Sequence, residues 1–127
     1  MHNLAFKQSV NNNPYVDFLF AVKLYGKFVE EYDPDWVLLD LVKCLESLGN
    51  SHNGLNNIST RCDSAGNIIH ALNINGNQEE VVIKEAYKIR SIRAAHAPKD
   101  IPIEPVLVEN LRKLDRRLIL DFLDKIN

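Results

Sequence analysis

Residues 33–50, DPDWVLLDLVKCLESLGN, decide the fold class of this chain. Asp33 followed by Pro34 is a helix start, because an aspartate side chain caps the first turn and a proline fits there without an N–H donor. The apolar residues that follow recur every three or four positions, which is the spacing of one helix face. They are Leu38, Leu41, Val42, Leu45 and Leu48. The stretch predicts an amphipathic helix that ends at Gly49-Asn50.

The segment before this helix carries the same start signal at Asn13-Pro14. Its apolar residues also follow at helical spacing, at Tyr15, Phe18, Val22, Tyr25, Val29 and Tyr32. Two amphipathic helices joined by a very short turn should pack antiparallel. Residues 1–13 end in three asparagines and are predicted to form a flexible N-terminal arm, whereas residues 14–127 are predicted to form a single helical domain.

The middle of the chain is less well determined by its sequence. Residues 49–57 are rich in Asn, Ser and Gly, which predicts a polar loop. The spacing of the apolar residues in the next stretch, residues 56–74, favours a helix. Gly66 disfavours a helix there by about 1 kcal/mol, and a small β-hairpin that turns at Ser64-Ala65-Gly66-Asn67 is the alternative.

Two more helices are predicted in the last third of the chain. Glu79 and Glu80 suit a first helical turn, where the helix dipole favours acidic side chains, and this helix should run to about Ala95. Pro105 opens the last helix, whose inner face is formed by Val108, Leu111, Leu114, Leu118, Phe122 and Ile126. The sequence therefore predicts an all-α fold, a bundle of four to five helices.

The composition excludes several classes of protein. The chain has 127 residues, of which 46% are hydrophobic, and this is enough to build a core without disulfides or metals. No apolar run reaches the length of a membrane span, so no membrane partner is expected. Cys44 and Cys62, in a chain without a secretory leader, suggest a reducing, cytoplasmic location. No cluster has metal-ligand spacing, so neither a metal nor another cofactor is expected.

The helix predicted over residues 82–96 contains the candidate functional residues. At about 100° per residue, Arg93 falls on the same apolar arc as Ala86 and Ile89, and His96 borders that arc. Because a guanidinium keeps its proton in a protein, Arg93 needs a carboxylate partner, a water-filled cleft or an interface. Asp40 and Glu85 are candidates for the carboxylate. An anion-binding cleft in which Arg and His meet a phosphate is the other interpretation.

Cleavage of RNA is the reaction that fits such a cleft. The reaction removes a proton from a 2′-hydroxyl, protonates the leaving oxygen and places charge on the phosphorus. A histidine can perform either proton transfer near neutral pH. An arginine offers a planar pair of N–H donors to phosphate oxygens. Two copies that face each other across a two-fold axis would give a more complete site.

The run from Tyr87 to His96, YKIRSIRAAH, resembles the signature of HEPN (higher eukaryotes and prokaryotes nucleotide-binding) domains. That signature is an arginine, four to six further residues and a histidine, with a polar residue directly after the arginine. Arg90, five intervening residues and His96 are similar to it, with Ser91 in the polar position.

This resemblance implies a function and a set of site residues. Domains of this family are often metal-independent ribonucleases of toxin–antitoxin and other defence systems, and some bind RNA without cleaving it. By resemblance, Arg90 and His96 would be the catalytic pair, whereas Ser91 and Arg93 would contact the substrate. RNA and a second copy of the chain would be the partners, together with an antitoxin or other protein. The alternative is a non-catalytic helical module for interaction or dimerisation.

Overall fold

The computed structural model describes residues 13–27, 33–74, 78–96 and 102–127, and for residues 94–96 the backbone alone. The described chain forms five helices, which are α1 (Pro14–Lys27), α2 (Pro34–Leu55), α3 (Ala65–Ala71), α4 (Gln78–His96) and α5 (Pro105–Ile126). These described ranges contain no strand, so the predicted all-α bundle is confirmed. The predicted arm, residues 1–13, lies outside them except for Asn13, whose side chain accepts backbone N–H bonds from Tyr15 and Val16 at 3.1 Å.

Helix α2 is the central element of the bundle, because each of the other four helices packs against it. Its predicted inner face is confirmed: Leu41, Val42, Leu45 and Leu48 have no exposed surface and Leu38 has 1%. The predicted start is confirmed as well, since the Asp33 side chain accepts the Asp35 N–H at 2.9 Å. A helix of this kind obtains most of its stability from such burial.

The predicted end of α2 at Gly49-Asn50 is wrong, because the helix continues to Leu55. The reason is a loop that packs against it. A Cβ atom on Gly49 would lie 2.7 Å from the Sγ atom of Cys62, so only glycine leaves room for this approach. The Asn50 side chain accepts the Cys62 N–H at 2.7 Å, and the Asn53 side chain donates to the Thr60 carbonyl at 3.0 Å. Asn50 and Asn53, which the sequence predicts in a polar loop, are thus buried residues of α2 whose side chains bind the loop that follows this helix.

Residues 56–74 form a loop and a short helix, so the favoured helix is confirmed over Ala65–Ala71 and the alternative hairpin is excluded. Ser64 caps α3, and its hydroxyl accepts the Asn67 N–H at 3.2 Å. Gly66 is the second residue of α3, where the first turn tolerates a glycine better than a helix interior does. Ile68 is fully buried, which anchors α3 on the core.

Helix α1 buries a different face from the predicted one. Its buried residues are Pro14, Asp17, Phe18, Ala21 and Leu24. Of the predicted face, Phe18 is buried and Tyr25 is partly buried, but Tyr15 and Val22 are exposed. Val29 and Tyr32 lie outside the described residues. Because α1 is apolar on nearly all sides, periodicity alone could not select the face that packs on α2.

The predicted inner face of α5 is confirmed. Leu111, Leu114, Leu118 and Phe122 are buried, and Val108 and Ile126 are partly buried against the core. The Phe122 ring stacks on the Phe18 ring of α1, with centroids 4.6 Å apart. Helix α4 packs on α2, α3 and α5 through its fully buried residues Ile83 and Ala86.

Candidate functional site

The residues of the predicted site lie on the last two turns of α4. This helix runs without interruption from Gln78 to His96, so Arg90, Ser91, Arg93 and His96 share one rigid element. Ser91 is exposed, whereas Arg90 and Arg93 are partly buried against α2. The position of the site therefore depends on how α4 packs on α2.

Arg93 ends in an ion pair with Asp35, a residue of the first turn of α2. Both Nε and Nη2 of Arg93 donate to the Asp35 carboxylate, the latter at 2.7 Å, and the Arg93 side chain is only 14% exposed. The hydrogen bonds to Asp35 raise the pKa of Arg93. A carboxylate partner is thus present, as one interpretation of the sequence required. The partner is Asp35, however, and neither Asp40, which faces Lys27 at 3.9 Å, nor the exposed Glu85.

Arg90 is held more loosely by two residues. Its guanidinium lies over the Tyr87 ring, 4.6 Å from the centroid, and its Nη1 is 3.7 Å from a carboxylate oxygen of Glu46 on α2. The Tyr87 hydroxyl donates to that same oxygen at 2.5 Å. Burial and this hydrogen bond raise the pKa of Tyr87, so the phenol stays protonated. The Arg90 side chain is 29% exposed, so it is both oriented and partly accessible to solvent.

Glu46 also lines a polar cavity of about 290 Å³ between α1, α2 and the loop after α2. Two further cations line this cavity, Lys43 and Arg61. Arg61 is paired with the buried Asp17, with Nη1 3.2 Å from a carboxylate oxygen, whereas Lys43 is exposed. Glu46 therefore touches both the Arg90 side chain and a cavity in which the two cations, Lys43 and Arg61, are accompanied by two carboxylates, Glu46 and Asp17.

His96 is the last residue of α4, and its side chain is outside what the structure describes. The backbone fixes only its place on the helix. Six residues of α-helix separate two positions by about 9 Å along the axis and about 120° around it. Whether Arg90 and His96 act together therefore stays a prediction, and so does the substrate-binding role of Ser91 and Arg93.

No known family, curated protein or solved structure matches this chain. In the part of the chain that the structure describes, no helix is both long and apolar enough to cross a membrane. The same ranges contain no group of three His, Cys, Asp or Glu side chains placed to hold a metal ion.

Titratable side chains that the sequence did not single out lie in the core. Asp115 of α5 is fully buried, and within the described ranges no N–H or O–H group donates to its carboxyl oxygens. Its polar neighbour is the thiol of Cys44, which is also fully buried. Burial raises the pKa of Asp115 well above 3.8, and burial together with Asp115 raises the pKa of Cys44. The core thus favours the uncharged forms of both groups.

His52 of α2 is buried as well, and its ring lies edge-on to Phe122 at a centroid distance of 5.5 Å. Burial lowers the pKa of His52 to about 4, with a further contribution from Lys125. The imidazole is therefore uncharged at neutral pH. Its position in the core and its low pKa distinguish His52 from a general acid or base that operates near pH 7.

Asp115→Asn should remove a pH dependence of stability. The folded chain keeps the Asp115 proton where the unfolded chain releases it, so the free energy of unfolding falls as pH rises above 3.8. The expected slope is about 1.4 kcal/mol per pH unit. Because the lowered pKa of His52 produces the opposite slope between about pH 4 and 6.5, the Asp115 slope is read from the difference between the wild type and Asp115→Asn, in which the contribution of His52 cancels.

Urea unfolding at several pH values between about 4 and 8 measures this difference, below the range in which ordinary thiols ionise. Asp124→Asn is the matched control, because Asp124 is an exposed aspartate of the same helix. The stability of the wild type relative to Asp115→Asn should fall as pH rises from about 4, whereas the stability of the wild type relative to Asp124→Asn should stay nearly constant. A wild type and an Asp115→Asn variant with the same pH dependence from about 4 to 8 would contradict the assignment of an uncharged Asp115.

Proposed function

We propose that this protein is a HEPN-like ribonuclease that acts on RNA without a metal ion, as a cytoplasmic homodimer of a defence or toxin–antitoxin system. The observation that carries the proposal is the Arg90 side chain, which Tyr87 and Glu46 orient and which remains 29% exposed on the same helix as His96. An oriented and accessible arginine suits a phosphate, because cations neutralise the RNA backbone and release its counterions.

The proposed reaction is an attack within the RNA chain. His96 takes the proton of a 2′-hydroxyl, whose oxygen then bonds to the adjacent phosphorus, and the bond to the 5′-oxygen breaks. The leaving 5′-oxygen takes up a proton, and the products are a 2′,3′-cyclic phosphate and a free 5′-hydroxyl. Arg90 donates hydrogen bonds to the phosphate oxygens as their charge grows. The exposed Ser91 hydroxyl provides a further contact to the substrate.

A second copy completes the site in this proposal. One chain places Arg90 and His96 about 120° apart around α4, so the partner's His96 can act on the side of the phosphate that this chain's His96 does not reach. The guanidinium of Arg93 is already paired with the Asp35 carboxylate. We therefore assign the main phosphate contact to Arg90, and Arg93 contacts the substrate only where a phosphate competes with Asp35.

Cleavage of a structured RNA by the purified protein, with and without a chelator, tests the proposal. The wild type should cleave equally well in both, and Arg90→Ala should lower the rate about 100- to 1,000-fold, as the loss of one charge-stabilising donor does. Arg116→Ala is the matched control, because Arg116 is an exposed arginine of α5, and it should retain the wild-type rate. Cleavage that stops in chelator, or that Arg90→Ala leaves unchanged, would contradict the proposed site.

A second candidate function, a non-catalytic helical module for dimerisation, is favoured by the outer face of α1. This face carries five large exposed apolar side chains, Tyr15, Val16, Leu19, Phe20 and Val22. Between positions 15 and 22 the only charged residue is Asp17, and it is buried, so the exposed face carries no charge there. A helix that is apolar on all sides is normally covered. An uncharged patch can pair with its own copy across a two-fold axis without repulsion.

Leu19→Asp should therefore convert a dimer into monomers, because it places a charge at the most exposed apolar position of α1, with 67% of its surface accessible. Sedimentation velocity measures the change. Val81→Asp is the control, because Val81 is equally exposed, at 65%, but lies on α4. A dimer that survives Leu19→Asp would exclude the α1 face as its interface. A dimer that does not cleave RNA would leave the interaction module as the function.

A further inference from the structure

A groove runs between α4 and α5, on surface that the proposed ribonuclease site does not use. It consists of two adjoining cavities of about 280 and 260 Å³, which share Val82 and Asn110. The first cavity is lined mainly by apolar residues, Val81, Val82, Ile89, Pro102, Val106 and Leu107. Val81 and Val106 are 65% and 64% exposed, so apolar surface continues onto the rim.

The dimensions of this groove match a helix. On α4 its lining extends from Gln78 to Ile89, which is about 16 Å at 1.5 Å per residue, or about three helical turns. An amphipathic helix placed in such a groove inserts the side chains of one apolar stripe, three or four residues apart. No aromatic ring lines either cavity, so the groove lacks the stacking surface that proteins offer to unpaired bases.

The charges at the rim select the kind of helix. Glu85 and Glu104 are exposed on the rim of the first cavity, and neither forms an ion pair with another residue of the described ranges. Lys113 lines the second cavity, where the charge of Arg117 is already compensated by Glu79 and Asp121. Two carboxylates repel a polyanion such as RNA and attract lysine or arginine.

We propose that the groove binds an amphipathic helix of a different protein, with an apolar stripe against Val82, Ile89 and Leu107 and with Lys or Arg beside Glu85 and Glu104. A second copy of this chain fits less well, because two grooves that face each other across a two-fold axis leave both unfilled. Ile89 lies one turn before Arg93 on α4. A helix bound here therefore ends beside the motif, which, if the proposed ribonuclease function holds, makes its owner a regulator of cleavage.

Selection from a display library tests this inference without any RNA. The library holds helical peptides of about 14 residues with fixed leucines at positions i, i+3, i+4 and i+7 and random residues elsewhere, and the target is the full-length protein. Enriched peptides should carry Lys or Arg near one end. Their affinity for a Glu85→Lys/Glu104→Lys double variant should be lower than for the wild type by about tenfold or more. When the Lys and Arg residues of the same peptides are replaced by Glu, their affinity for this double variant should increase.

Val106→Asp provides the second arm, because it introduces a charge at an exposed rim position and should leave the fold intact, which circular dichroism verifies. It should abolish binding of the enriched peptides, and Val16→Asp on α1, at a position 60% exposed, should not. Enriched peptides without a basic bias, or binding that Val106→Asp leaves unchanged, would overturn the proposal. Dissociation of a homodimer by Val106→Asp would also overturn the proposal, because a second copy would then be the occupant of the groove. His96→Ala should bind the peptides normally, which separates this outcome from failure of the ribonuclease proposal.

Discussion

His96→Ala should lower the rate of RNA cleavage by about 100- to 10,000-fold, the contribution that a positioned general acid or base makes. In the proposed reaction, one His96 removes the proton of the 2′-hydroxyl and the His96 of the second copy protonates the leaving oxygen, so one substitution removes both groups. The residual rate should also lose the pH dependence that ionisation of this imidazole gives to the wild-type rate. Initial rates across pH 5–9 with a labelled RNA measure both effects.

His70→Ala is the matched control for this experiment. His70 is an exposed histidine of α3, so its removal tests a general effect of losing an imidazole. This variant should cleave at the wild-type rate. Cleavage that persists in His96→Ala and disappears in another variant would place the chemistry elsewhere. Mixing inactive His96→Ala with the wild type should lower the activity by more than dilution if the site is shared between two copies, because each site of a mixed dimer then lacks one of its two His96 side chains.

Phe122→Ala should lower the free energy of unfolding by about 3–5 kcal/mol, because it removes a fully buried ring and leaves a cavity. The ring joins three elements, since it stacks on Phe18 of α1 and meets the edge of His52 of α2. The loss is a large part of the roughly 5–15 kcal/mol that stabilises an ordinary domain. Urea unfolding at neutral pH measures it.

Leu123→Ala is the control for this substitution, because Leu123 is the next residue on α5 but is 37% exposed, and it should cost about 1 kcal/mol or less. Loss of the Phe122 ring should also admit water to His52. The pKa of His52, which burial lowers to about 4, should then rise towards its ordinary value of 6.5. An NMR titration of the imidazole follows this change. Equal costs for the two substitutions would contradict the central position of Phe122.

The parts of the fold that were predictable from the sequence are those with strong local signals. Asp33-Pro34 and Pro105 mark helix starts, and the leucine spacing after each fixes the buried face. The extension of α2 beyond Gly49-Asn50 was not predictable, because it depends on Cys62, which packs on Gly49 from another segment. The buried face of α1 was equally unpredictable, since apolar residues surround this helix and only its neighbours choose among them.

The candidate site shows the same division. The position of Arg93 on an apolar arc predicted a carboxylate partner, a water-filled cleft or an interface, and the structure supplies the carboxylate partner. The identity of that partner, Asp35, depends on where the start of α2 lies against the end of α4, and no local pattern encodes that crossing. Glu46 and the Tyr87 hydroxyl, which orient Arg90, were missed for the same reason. The sequence feature that could have indicated this contact is a pair of polar residues, Glu46 and Tyr87, on two different helices and 41 positions apart.

The burial of both cysteines makes the protein convenient for site-directed labelling. Cys44 and Cys62 are 0% and 4% exposed, and burial raises the pKa of Cys62 to about 11. Since maleimides and methanethiosulfonates react with accessible thiolates, the native thiols should remain unmodified near pH 7. A single cysteine introduced at an exposed position then takes up a spin label in the otherwise wild-type chain. Distances between labels on two copies would reveal directly how they are arranged around α1 and α4.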